Sequence, residues 1–358
     1  MKRHMLEPVG DASAAQVVRR LCGVQAQVAS AADLAVRLRQ TDPRPGEVSQ
    51  ALAEGRLIKT WAMRGTLHLL EAGDAASYLA LMAAGRTWER PSWQRYFGVT
   101  PKDWETIRPA VREALDGQVL TRDELIAAVT ARTGFGHLAE ALRSGWGTLL
   151  KPLAWQGDLC FGPSRGSSVT FGRPDSISPG WTGLPVLDEA AARAIEAYVS
   201  AYGPATALSF SSWLARGWLG KRLTDRWFAA AASRLAEVDV EGGPAYVLAE
   251  HVDELASTAP SDAVRLLGGF DQWVLGPGTD DGHVTPAARR AAVSKQSGWI
   301  AQVAIAGGVV SGTWELRDGR VAVTWFGEAG PAPADALAVQ AERLGSILGR
   351  ALDVSVEA

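Results

Sequence analysis

The chain has 358 residues, 47% of them apolar and 21% charged, and a formal net charge of −3. This is an ordinary globular composition in a chain too long for one typical hydrophobic core, so two or more domains are expected. Two distant cysteines, five scattered histidines, no membrane-length apolar run and no glycine-rich phosphate loop argue against a disulfide framework, a metal site, a signal peptide, a membrane span or a nucleotide cofactor; a cytoplasmic, cofactor-free protein is expected.

From the N-terminus, alanine-rich amphipathic patterns predict helices over Ala12 to Cys22 and Ala31 to Arg39. Between them lie Gln25 and Gln27, one apolar residue apart. On a helix, positions i and i+2 point about 200° apart, whereas an extended or broken turn puts them on one side. Gly23 before the pair and Ser30 after it permit such a break, Ser30 as the cap of the next helix. Paired amides supply donors and acceptors without charge and so can hold a water molecule; the plainer alternative is two polar residues on a solvated helix end. Asp42 to Gly46 reads as a turn leading to a short helix through Ala53. The period then changes to alternation over Leu57 to Met63 and Thr66 to Leu70, with Arg64-Gly65 as a tight turn, which completes a winged-helix pattern. Lys59, Thr60, Arg64, Thr66 and His68 place donors on this hairpin as candidate DNA contacts, a solvated strand face being the alternative.

The same grammar recurs twice. After an aromatic and basic segment, Trp88 to Tyr96, a capping box Thr121-Arg-Asp-Glu124 starts a helix, two short helices follow, and a hairpin spans Asp158 to Phe171. Lys151, Arg165, Ser167 and Arg173 there suit phosphate contacts. A third set has helices over Asp188 to Tyr202, Thr206 to Arg216 and Thr224 to Leu235, then an acidic hairpin with Glu241 to Gly243 at its tip. From Val264 onward, β-patterns at Val264 to Leu267, Gln272 to Leu275, Trp299 to Ile305, Val309 to Leu316 and Arg320 to Trp325 predict a small antiparallel β-barrel, a five-stranded sheet packed on the last helix (Ala334 to Ala351) being the alternative. The expected fold is therefore α+β: three helix-helix-helix-hairpin units followed by a barrel, with domains at 1–86, 87–177, 178–262 and 263–358.

Charge is unevenly distributed. Glu237 to Asp262 carries seven acids and no Lys or Arg, while basic groups cluster elsewhere, among them Lys221/Arg222/Arg226 and Arg289/Arg290/Lys295. A basic channel in an acidic body is compatible with nucleic-acid binding despite the negative total. Lys295 joins the candidate DNA contacts, and Trp155, Trp273 and Trp299 are candidates for base stacking, with core packing as the alternative for each.

Several segments in order resemble the winged-helix DNA glycosylases: Gly23 to Gln27, Met63 to His68, Leu159 to Gly166 with Val169 to Phe171, Ala201 to Thr206, Val264 to Leu267 with Phe270 and Asp271, and Gly298 to Ile300 with Gly312 to Trp314. The glutamine–apolar–glutamine motif is that of the AlkZ-like branch; the related YcaQ branch carries aspartate at the second position. The resemblance implies tandem winged helices around a basic channel and monofunctional excision of N7-alkylated guanine from double-stranded DNA, including bulky or cross-linked adducts. It makes Gln25 and Gln27 the catalytic pair and the loop with Phe270, Asp271 and Trp273 lesion-proximal. Self-resistance to an alkylating natural product is one role such an enzyme serves. The chain departs from the family pattern at Gly268-Gly269, where members often have proline, and at Pro277 to Asp280, which replaces a Tyr-x-Asp-Arg ending.

Amides are too weakly basic to remove a proton at neutral pH, and most glycoside-cleaving enzymes use carboxylates. An N7-alkylated guanine, however, already carries a positive charge and leaves without being protonated. Holding water at the anomeric carbon is then the remaining task, which amide dipoles perform by position alone. No lysine adjoins the pair, so a Schiff-base lyase is not indicated. The alternative is a non-catalytic winged-helix DNA-binding protein, a regulator or an adduct binder. Lacking heptads or an evident dimer helix, the chain is expected to act as a monomer, without membrane or metal partners.

Overall fold

The computed structural model describes residues 1–145 and 147–357, and three times in succession its helices lead into an antiparallel hairpin. Ser13 starts the helix Ala14–Arg20 through a reciprocal capping box with Gln16. The box predicted at Thr121 starts Arg122–Thr133, with Thr121 N donating to Glu124 Oε2 at 2.7 Å. In the first hairpin Leu57–Trp61 pairs with Leu67–Glu71, and in the connection between them Arg64 and Gly65 turn the chain in the left-handed region, at φ 58° and 70°. The second pairs Cys160–Arg165 with Ser168–Gly172, and the third pairs Leu235–Val240 with Gly243–Leu248.

By contacts the chain divides into two compact units. One comprises Met1–Glu47, Ala197–Trp213 and Ala232–Ala358; the other comprises Val48–Glu196 and Leu214–Ala231. The second unit holds a sheet with strands in the order Leu67–Glu71, Leu57–Trp61, Cys160–Arg165, Ser168–Gly172 and Leu120–Thr121. Trp61 seals it by packing on Phe161 and Phe171, with ring centroids 4.7 and 6.0 Å away.

The first unit contains the C-terminal β-structure, and here the expected barrel is corrected. Five strands form an open sheet whose edges are Val264–Leu267 and Asp353–Glu357. The last strand runs parallel to Arg320–Trp325 because the chain returns through the helix Ala334–Leu348, the crossover that a parallel pair needs. That helix buries Leu337, Ala341 and Leu344 against Val264, Leu266, Trp314, Val321 and Val323, covering one face. Two predicted strands are also reassigned. Gln272–Leu275 is one helical turn, capped by the Asp271 carboxylate on Trp273 N at 2.8 Å. Trp299 belongs to a tight turn, and its strand starts only at Val303. Among the described residues no helix is long and apolar enough to cross a membrane.

One ion pair lies wholly inside the first unit. Arg39, just past the helix Ala29–Arg37, donates from Nη1 and Nη2 to Asp271 Oδ2 and Oδ1 at 2.9 and 2.7 Å, and again from Nη1 to Ala35 O at 2.7 Å. Both side chains are fully buried. Removing one partner strands a desolvated charge, which costs about 3–5 kcal/mol, whereas replacing both with apolar groups of similar volume is near neutral. Asp271→Leu or Arg39→Met alone is therefore expected to lower the unfolding free energy by that amount in urea denaturation, and the double variant to recover most of it.

Candidate active site and nucleic-acid interface

The glutamine pair is set by how the first helix ends. Cys22 and Gly23 take φ of 55° and 106°, and Gly23 N reaches back to Val18 O at 2.9 Å, the closure that satisfies a helix's last carbonyls. The chain then leaves as the extended pair Val24–Gln25 and re-enters a helix at Ala29. Both glutamines fall on one side, as the extended reading required: Gln25 Nε2 donates to Gln27 Oε1 at 2.7 Å. Val28, not Ser30, caps the following helix, so Ser30's expected role is corrected. Gln25 is 5% exposed whereas Gln27 faces solvent. The buried amide orients the exposed one, whose oxygen keeps a second lone pair for a water.

The surroundings are close-packed. Tyr202 donates from its hydroxyl to Leu21 O at 2.7 Å, tying an aromatic cluster of Tyr198, Phe210 and Trp213 to the turn before the pair. The Tyr202 ring presses on Gly276, where a Cβ would come within 1.8 Å of it. On the other side, Val28 and Ala31 pack against the buried cluster that includes Leu267, Phe270 and Ile300, and Gly268 admits Leu34 so closely that an added Cβ would lie 3.2 Å from it. The loop expected near the lesion thus rests on the helix that begins just behind Gln27. Within it Phe270 and Asp271 are buried, and Trp273 donates from its indole to Gly308 O at 2.9 Å. The exposed aromatic is Trp299, set edge-to-face on Phe270 at 5.0 Å. Trp155, another stacking candidate, is buried.

The candidate DNA contacts divide by whether their charge is already used. Lys59 lies over the Phe161 ring, and burial lowers its pKa; Lys151 is shifted the same way by burial and then by Arg216. Neither lysine forms an ion pair among the described residues. Lys151 Nζ stands 3.8 Å from where a Cβ of Gly65 would be, so the turn carrying Arg64, Lys151 and Arg216 form one cationic cluster. Sequence reading missed Arg216, which follows a helix at φ 50° and is exposed; an Arg-Gly at a helix end was its only signal. Thr66 closes the hairpin turn by donating to Met63 O at 3.1 Å. Arg165 and Arg173, by contrast, are tied to carboxylates, Arg165 to Glu124 at 2.8 Å and Arg173 to Asp116 at 2.6 Å and to Asp175. Ser167 is exposed on the second hairpin, and Lys295, in the first unit, is exposed without an ion pair among the described residues.

Thr60 and His68 correct the expectation of a solvated strand face. They sit opposite each other on the hairpin, fully buried, because both faces of Leu57–Trp61 are covered. Burial, and next the Arg64 charge, push the His68 pKa down to about 3 although Nδ1 meets Thr66 O at 3.1 Å. Neither side chain reaches a phosphate from there.

Three comparisons bear on this arrangement. A family model described as DNA glycosylase AlkZ-like matches residues 18–347. The chain is similar to an interstrand DNA cross-link repair glycosylase of Streptomyces sahachiroi, 48% identical over 350 residues, which are 98% of this chain and 94% of that protein. It is also similar to the solved structure of Streptomyces sahachiroi DNA glycosylase AlkZ, with a TM-score of 0.97 at 47% identity, covering 100% of this chain and 97% of that one.

Two outcomes are expected from the charge pattern. Lys151→Ala and Arg216→Ala should each weaken binding to an undamaged duplex and lower the slope of log affinity against log salt by about one, whereas Arg165→Ala should change the slope little. For His68 the folded pKa lies below the unfolded value of about 6.5, so unfolding takes up a proton between the two. Its contribution to stability is complete above about pH 6.5 and declines as pH falls toward 3; His68→Gln should flatten the fall of the urea midpoint over that window.

Proposed function

We propose, from the premise that the chain belongs to the AlkZ-like DNA glycosylase family, that it hydrolyses the N-glycosidic bond of N7-alkylated guanine in double-stranded DNA, and that Gln25 and Gln27 direct the water. The observation that carries this reading is the amide pair itself, one member buried and donating, the other exposed with its oxygen aligned. The C1′–N9 bond breaks with its electrons moving to the cationic base, which leaves neutral. Water adds to C1′ and releases its proton to solvent. Gln27 accepts from that water, and Gln25 fixes the orientation of Gln27. No side chain has to titrate.

The position of the nearby carboxylate supports the same reading. Asp271, on the loop packed against the helix behind Gln27, commits Oδ1 to Arg39 and Trp273 N and Oδ2 to Arg39. Both of its oxygens are taken by Arg39 and the Trp273 amide, which gives it a structural role rather than that of a general base. DNA is held at phosphates by the cations Lys59, Arg64, Lys151, Arg216 and Lys295. The cross-link repair role of the Streptomyces sahachiroi relative extends the proposal to bulky adducts and interstrand cross-links, and an enzyme of that scope serves as self-resistance where its host makes such an alkylator.

Single-turnover excision from a duplex with one N7-methylguanine tests the proposal. Gln27→Ala is expected to lose on the order of 10²-fold or more in rate with duplex binding retained, and Gln25→Ala a comparable amount through misorientation of Gln27. The wild-type rate should lack a limb near pH 4–5, where a catalytic carboxylate would titrate; such a limb would overturn the amide mechanism.

A further inference from the structure

Trp299 is the tryptophan that, among the described residues, the fold leaves substantially in water, 50% exposed. A ring of this size usually gains far more by burial, yet the backbone is bent to present it. Ser297 and Gly298 turn at φ 60° and 76°, Lys295 N closes the turn on Trp299 O at 2.8 Å, and Ser294 bridges Ile300. Its support is a second residue in the left-handed region, Phe270 at φ 60°, whose buried ring meets the indole at an interplanar angle of 75°. Non-glycine residues in this region are strained and persist where surrounding packing over-determines them. Here that packing is the cluster of Leu267, Phe270 and Ile300, the same cluster against which Val28, the neighbour of Gln27, is seated. Because the Phe270 contact is perpendicular, at least one indole face is not covered by it. Lys295, at the other end of the turn, is an exposed cation.

We propose that the turn 294–300 is the subsite for the N7 substituent, with Trp299 stacking on planar aromatic substituents and Lys295 meeting an adjacent phosphate. The inference rests on the glycosylase reading above and names the class of lesion for which the site is built: guanines whose N7 group is flat and polycyclic, in preference to those carrying a methyl. A half-exposed indole on a rigid base stacks on any π-face, whereas a methyl group offers it none.

The test compares two duplexes, one with N7-methylguanine and one with an N7-guanine adduct bearing a planar polycyclic group, in single-turnover assays that give half-saturation and maximal rate separately. Trp299→Ala should lower the preference for the polycyclic duplex by roughly 5- to 100-fold, the range that base–aromatic stacking spans on alanine substitution, chiefly through half-saturation. Trp299→Phe should retain most of the preference, which separates loss of the ring's face from a general disturbance of the turn. An unchanged preference ratio, whether both substrates decline together or neither moves, would overturn the subsite. Equilibrium binding of the same two duplexes in a Gln27→Ala background reads the substituent without excision. A Trp299-dependent difference there, with no excision by the wild type, would sink the glycosylase reading and leave the subsite standing.

Discussion

The site depends on one buried ion pair. Arg39 follows directly on the helix whose first turn lies behind Gln27, and Asp271 caps the helical turn after Phe270; their bidentate contact ties the two elements together. Such a pair is stable only when nearly every donor and acceptor is used. Asp271 also caps Trp273 N, and Arg39 also donates to Ala35 O. The cost of two desolvated charges is thus offset by contacts that fix position. The Phe270 platform, the Val28 contact and hence the aim of the glutamines are consequences of that fixation.

The neutrality of the proposed catalytic pair follows from where charge begins and ends in the proposed reaction. The positive charge sits on the base in the ground state and on the sugar in the transition state. A carboxylate placed here would attract the lesion before reaction almost as strongly as during it, and binding both states equally does not speed the chemical step. Amide oxygens act at short range on the atom where charge develops, and they keep their state at any ordinary pH. The cations are placed differently: the Lys59–Arg64–Lys151–Arg216 group belongs to the unit that does not contain the glutamines. Under the proposed function, phosphate attraction is thereby left to residues that take no part in bond cleavage.

What was legible in the sequence was local in origin. The break around the glutamines follows from Gly23 and the i, i+2 spacing, the Arg64-Gly65 turn from its left-handed residue, and the helix at Arg122 from Thr121 and Glu124. What was not legible depended on partners distant in the chain. Alternation over Leu57–Trp61 suggested a solvated face, but the strand is flanked on both edges and covered on both faces, so Thr60 and His68 went inside. Gln272–Leu275 has strand-forming residues, yet the Asp271 cap turned it into a helix. The barrel failed for a similar reason, since the final helix placed the last strand parallel at an edge and left the sheet open. Arg165 looked available because its carboxylate partner lies 41 residues away, and one of the two carboxylates on Arg173, Asp116, lies 57 residues away.

The same distance explains how the glutamine pair comes to be rigid. Its unit is drawn from three separate stretches of chain, and the Arg39–Asp271 contact spans 232 residues. Closing a loop of that length costs little more than closing a short one, because the entropy grows only with the logarithm of length. The stringent requirement is steric. Gly276 must accept the Tyr202 ring and Gly268 must accept Leu34, each at a separation that a Cβ would violate or crowd. Gly268 sets how near the late loop comes to the early helix, and Gly276 sets how near it comes to Tyr202, whose hydroxyl holds the turn just before the glutamine pair.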